Sequence, residues 1–257
     1  MLALAALSAA LAQTTPRDRL NASPRHQEWA TVNNVARAVR LFVVYPEVKQ
    51  KAPAVLVIHE NMGLTDWVKG VADQLAAKGY IAVAPDLLSG MAPEGGGTDG
   101  FAGPSTARDA IYKLPPEQVT GDLNAAADYA KSLPAASGVL YVAGFCWGGS
   151  QSFRFAASRG DLAAAFVFYG TGPESPDAVR RIKAPVYGFY GGNDARVNAT
   201  IPKTQELMKA AVKTYDPVVY EGAGHGFMRA GEDPGASPEN RKAREEGWSR
   251  WLRLMKQ

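Results

Sequence analysis

Cysteine occurs once in the 257 residues, at Cys146, so the chain forms no intramolecular disulfide and has no second thiol for a dithiol redox cycle. Histidine is scarce as well. Only three are present, and His59-Glu60 is not followed by the second histidine of an H-E-x-x-H zinc motif, because that position is Gly63. Neither a metal nor a cofactor is expected. Charge of one sign is not in excess either: 28 Lys and Arg face 25 Asp and Glu, and the basic residues are scattered. No nucleic-acid footprint follows from that distribution. The apolar stretch at residues 1–13 (MLALAALSAALAQ) is too short to span a bilayer, so no stable membrane insertion is expected.

What is present is a composition ordinary for a folded domain, with 46% apolar and 21% charged residues. The length suits one large α/β domain. Residues 1–13 read as a signal-peptide h-region, with Ala10-Leu11-Ala12 as a small-residue cleavage site, although no basic n-region precedes it. A periplasmic or secreted location is therefore expected, with cytoplasmic as the alternative if the stretch is a helix packed on the domain. Residues 14–29 read as a polar N-terminal segment, and residues 30–257 as a single domain without repeat or linker.

Within that domain, residues 37–45 (RAVRLFVVY) read as a strand near a sheet edge, and residues 54–58 (AVLVI) as a strand buried on both faces. Helical spacing follows over 65–78, with Thr65 or Asp66 as cap and Gly79 past the end. Residues 81–85 are the next strand. Residues 88–106, dense in glycine, proline and serine, read as a long binding loop or excursion. Helical stretches at 108–114 and 116–132 precede a strand at 139–143. Strands at 164–169, 186–190 and 217–220 alternate with helices, and a last helix starts at Ser237-Pro238. This alternation predicts a three-layer α/β sandwich with a mostly parallel central sheet.

The strand at 139–143 runs into residues 144–149, GFCWGG, and then into a helix. A strand turning into a helix through G-x-C-x-G is a nucleophile elbow with cysteine in the usual serine position. Chance alone puts glycine at −2, +2 and +3 of the single cysteine about once in a thousand. The strand at 186–190 ends in GGND, with Asp194, and the strand at 217–220 ends in EGAGHGF, with His225. The order Cys146, Asp194, His225 is that of the α/β-hydrolase triad, and each residue stands beyond a strand end, where open parallel sheets gather their functional groups. His225 would take the thiol proton and later activate water, while Asp194 would hold the imidazole tautomer. The backbone N–H groups of Trp147 and Asn61 would form the oxyanion hole.

The set IHENMGL, APDLL, GFCWGG, GGND and GHGFMR resembles the dienelactone hydrolase family over roughly residues 30–257. The resemblance implies an α/β-hydrolase fold and a thiol hydrolase that opens lactone rings. It also implies that Glu60 meets the thiol and helps form thiolate when substrate arrives. Two arginines that would bind a substrate carboxylate match Arg108, ahead of Tyr112-Lys113-Leu114, and Arg229, four residues after the histidine. Tyr112 joins them as a substrate-binding expectation.

A thiolate leaves a tetrahedral adduct more readily than an ordinary alkoxide or amine, so plain alkyl esters and amides are poor targets. Activated acyl groups such as enol lactones and aryl esters are expected instead, with a small-molecule lactone or ester carrying a carboxylate as the substrate. The rival readings are a non-catalytic binding protein on a hydrolase scaffold and a redox sensor built on Cys146.

Overall fold

The computed structural model describes residues 15–35 and 37–256. The expectation of a signal peptide at 1–13 lies outside the described residues. Eight strands form one sheet in the order β1-β2-β4-β3-β5-β6-β7-β8. The first three in that order are β1 (Gln27–Asn34), β2 (Arg37–Val44) and β4 (Ile81–Asp86), and they pair antiparallel. From β4 onward, through β3 (Ala52–Ile58), β5 (Ala136–Phe145), β6 (Ala164–Phe168), β7 (Val186–Gly191) and β8 (Tyr215–Tyr220), every pairing is parallel.

The middle strands are continuous apolar runs because both sheet faces are covered. Leu56 and Ile58 of β3 pack into the core on one face, and Val55 and Val57 into the core on the other. Successive side chains of a strand alternate in direction, so a run without polar residues feeds two cores at once. All four are fully buried. Burial of each such side chain contributes about 1.5–3 kcal/mol.

The first core is closed by α3 (Pro104–Ile111), α4 (Pro116–Ser132), α5 (Trp147–Ser158), α6 (Pro176–Arg181) and α8 (Ile201–Ala210), which supply Ile111, Leu123, Phe155, Val179 and Met208. The second is closed by α1 (Pro16–Asn21), α2 (Asp66–Ala76), α9 (Phe227–Ala230) and α10 (Pro238–Leu254), through Leu20, Leu75, Phe227 and Trp251. The short α7 (Ala195–Asn198) follows β7. The result is the three-layer α/β arrangement that the alternating pattern predicts.

Two N-terminal features go beyond the sequence reading. The strand at 37–45 lies near the sheet edge as expected, second from it, with the unread strand β1 pairing outside it. β1 alternates between half-buried and exposed positions and carries Gln, Glu and Asn, the pattern of a half-solvated edge strand rather than of a core strand. The segment 14–29 is also more than a polar lead-in. Thr15 and Asp18 form a capping box on α1, Leu20 is buried, and Arg25 forms an ion pair with Asp73 of α2. The folded unit therefore takes in residues before the expected start at 30.

The 88–106 segment is pinned rather than loose. Thr98 donates through its N–H and its hydroxyl to the buried carboxylate of Asp86, at 2.8 and 2.7 Å, and accepts from the Leu64 N–H at 2.9 Å. Two single-turn helices, Pro93–Gly95 and Thr98–Gly100, take up its middle.

Candidate active site

The strand β5 delivers the chain to Cys146 with φ 56° and ψ −118°, a left-handed φ that a side chain adopts only under strain. Crowding explains the flanking glycines. A Cβ on Gly144 would stand 1.9 Å from the Gly148 carbonyl oxygen, and one on Gly148 would stand 2.3 Å from the His59 carbonyl oxygen. Both are far inside contact distance, so no larger residue fits. The sharp turn leaves Cys146 at the N-terminal end of α5, where free amides and the helix dipole favour negative charge.

β7 and β8 bring the partners. Asp194 follows β7 as the N-cap of α7, is buried, and holds His225 Nδ1 at 2.5 Å through Oδ2. His225, beyond β8, places Nε2 3.2 Å from Cys146 Sγ. The residues expected as a triad thus form one hydrogen-bonded row. With Nδ1–H donating to the carboxylate, Nε2 is the nitrogen that exchanges a proton with sulfur. The contact with Cys146 is the main cause that lifts the His225 pKa to about 9; Asp194 adds to it, and partial burial works against both. Imidazolium facing sulfur is the state these contacts favour.

Tyr169 completes the wall around the histidine. Its ring meets the His225 ring edge-on at 5.1 Å, its φ is 40°, and its buried hydroxyl has no hydrogen-bond partner among the described residues. No motif pointed to Tyr169 in the sequence, where it closes an apolar strand.

Glu60 and Arg229, expected in separate roles, come together. Arg229 Nε donates to Glu60 Oε2 at 2.8 Å. Glu60 is 3% exposed, and burial pushes its carboxyl pKa up while Arg229 and then His225 pull it down. Here Cys146 is hydrogen-bonded to His225 and Glu60 to Arg229; the Glu60–thiol contact is expected only once substrate arrives. Arg229, expected to bind a substrate carboxylate, carries this ion pair here.

A cavity of about 120 Å³ opens beside Cys146, lined by Tyr112, Trp147, Ser150, Tyr169, Thr171, Arg196 and Val197. Arg108, expected to bind the substrate carboxylate, is exposed on α3 and is not among the residues that line this cavity. Tyr112 does line it, and its hydroxyl accepts from Asn61 Nδ2 at 3.2 Å. Arg196, two residues past Asp194, is the cation that reaches this cavity, and it forms no ion pair among the described residues. Sequence reasoning missed it because one arginine among 28 basic residues carries no signal until its neighbours are known.

The two expected oxyanion donors emerge at one edge of the sheet. Ile58 of β3 is in register with Gly144 of β5, so Asn61 and Trp147 follow neighbouring strand ends. A larger hollow of about 580 Å³ between β8 and α10 holds none of these residues. Among the described residues, no cluster of three or more His, Cys, Asp or Glu side chains could hold a metal ion, and no helix is long and apolar enough to cross a membrane.

An eight-stranded, mostly parallel sheet with Cys, Asp and His beyond the ends of β5, β7 and β8 defines a protein of α/β-hydrolase class. The model of the dienelactone hydrolase family matches residues 39–257, and the chain belongs to that family. A protein of Methylorubrum extorquens named "Putative carboxymethylenebutenolidase" is 35% identical over 215 residues, covering 78% of this chain and 72% of its own. The carboxymethylenebutenolidase of Pseudomonas putida is 33% identical over 188 residues, covering 70% and 77%. A crystal structure titled as a putative dienelactone hydrolase from Klebsiella pneumoniae superposes with a TM-score of 0.78 at 26% identity, covering 91% of this chain and 99% of that one.

Proposed function

We propose that this hydrolase cleaves lactones or activated carboxylic esters through a thioester on Cys146. The observation that carries the reading is the row from Cys146 Sγ to His225 Nε2 at 3.2 Å and from His225 Nδ1 to the buried Asp194. In the first half-reaction the thiolate attacks the acyl carbon, and the carbonyl electrons move onto oxygen, facing the Asn61 and Trp147 amides. Collapse of the adduct breaks the acyl–oxygen bond, and imidazolium protonates the departing oxygen. In the second, neutral His225 takes a proton from water, hydroxide attacks the thioester, and thiolate is expelled. Asp194 keeps Nε2 facing sulfur throughout.

Enol lactones and aryl esters suit this chemistry because their leaving groups compete with thiolate in the adduct. The names of the relatives in Methylorubrum and Pseudomonas point the same way. The substrate carries a carboxylate in this reading, and the cavity supplies Arg196 to meet it, with Arg229 held by Glu60 and Arg108 outside. A guanidinium facing a partly dry cavity binds a carboxylate through paired hydrogen bonds.

The test is turnover of a 4-nitrophenyl ester. Iodoacetamide and Cys146→Ala should each abolish it, and activity that survives both would refute the cysteine mechanism. Arg196→Gln should raise KM about tenfold for an anionic ester and leave a neutral one within about twofold, since one charge-assisted pair contributes about 1.5–3 kcal/mol. Equal changes on both esters would remove Arg196 from recognition. Export is part of the same proposal, and a mature N-terminus near Gln13 would support it.

A further inference from the structure

His59 has no part in the proton transfers above, yet it is fully buried at the end of β3 and bonded at both ring nitrogens. Nδ1 lies 2.7 Å from the Glu60 carbonyl oxygen and donates to it. Nε2 lies 3.3 Å from the Leu87 nitrogen and accepts its N–H. That pair of contacts requires the neutral Nδ1–H tautomer, and burial, the largest influence, pushes the His59 pKa below the ordinary histidine range. The ring has no lone pair or proton left for chemistry.

Its geometry serves another purpose. The imidazole stacks on the Trp147 ring, with centroids 5.6 Å apart and planes 14° apart. Its own carbonyl abuts Gly148, where a Cβ would come within 2.3 Å. The Glu60 carbonyl that it binds belongs to the peptide that carries the Asn61 N–H. One side chain is therefore bonded to the peptide of one expected oxyanion donor and packed on the side chain of the other. Through Leu87 it is anchored to the chain just beyond β4.

We infer that His59 is a positioning residue that sets the separation and aim of the Asn61 and Trp147 amides. The inference rests on the thioester reading, in which those amides receive the oxyanion. Preorganised donors act only within a narrow distance of the developing charge, and removing one costs about 100- to 1000-fold in rate. A displacement of about 1 Å costs about 100-fold.

The full chain is assayed with 4-nitrophenyl acetate, and the same variants are alkylated with iodoacetamide to read the thiolate separately. His59→Phe keeps a ring against Trp147 and loses both hydrogen bonds. His59→Gln keeps one donor and one acceptor and loses the stack. The expected loss in kcat is about 10- to 100-fold for His59→Phe and about three- to tenfold for His59→Gln, with KM within about twofold. The alkylation rate of Cys146 should stay within about twofold of wild type in both, because the contacts to His225 are untouched. Should His59→Phe fail to fold, as a thermal melt would reveal, His59→Gln decides alone by the same readouts. A kcat within twofold of wild type in a folded variant, or an alkylation rate that falls in step with kcat, overturns the inference. Turnover that persists in Cys146→Ala overturns the thioester reading and this inference with it. An inactive Cys146→Ala beside a fully active His59→Phe overturns this inference alone.

Discussion

At Cys146 the backbone is strained, the thiol is half-buried, and a histidine whose pKa is lifted to about 9 stands 3.2 Å away. The folded value exceeds the usual histidine value of about 6.5. The contribution of this contact to stability is therefore fully present below about pH 6.5 and is lost as pH rises through about 9. Acylation that needs imidazolium to protonate the leaving oxygen should decline across the same upper limb. A pH profile of kcat/KM on a lactone should show that limb near 9, and Asp194→Asn, which removes one cause of the raised pKa, should move it to lower pH. A limb that Asp194→Asn does not move would argue against His225 as the proton donor. Crowding at the elbow gives a second prediction. Gly144→Ala places a methyl against the Gly148 carbonyl and should lower stability by about 3 kcal/mol or more in a denaturant melt.

The residue scale also separates what the sequence discloses from what it hides. Cys146, Asp194 and His225 were legible because each follows an apolar strand within a short polar, glycine-rich turn, and parallel sheets present such turns at one edge. Arg108 and Arg196 look alike in a sequence. Only packing decides which of the two lines the cavity beside Cys146, and that is Arg196. The partner of Glu60 was hidden for the same reason, since Arg229 lies 169 positions away.

Among elements, the buried strands β3 to β7 and the helices α4 and α10 fall where periodicity places them, because tertiary burial and local pattern agree there. β1 escaped notice because an edge strand needs polar residues on its solvated face. The 88–106 segment reads from its composition as a binding loop or an excursion, and the Asp86 carboxylate organises it. Thr98→Val removes the hydroxyl that bridges Asp86 and Leu64. It should cost about 1–3 kcal/mol in a denaturant melt, the range for leaving a buried polar group unpaired. An unchanged melt would mean that the segment is held by other contacts. Trp251 of α10 is fully buried against Phe145, Phe166 and Phe168. Trp251→Ala should cost about 3–5 kcal/mol while the remaining folded protein keeps its turnover.

In the whole molecule, a mostly parallel sheet covered on both faces brings Cys146, Asp194 and His225 to the same end of its strands, so distant stretches of sequence meet in one hydrogen-bonded row. The N-terminal helix belongs to that body. Removal of residues 1–22 takes away the buried Leu20 and should lower stability by about 1.5–3 kcal/mol without changing KM, as a melt and a steady-state assay would show. The most direct test of the thioester is intact-protein mass spectrometry after brief mixing with an aryl ester, followed by mapping of the adduct. A gain of one acyl mass on the peptide carrying Cys146, labile to hydroxylamine and absent in Cys146→Ala, is the predicted result. Steady turnover with the acyl mass on another residue, or in Cys146→Ala, would contradict it.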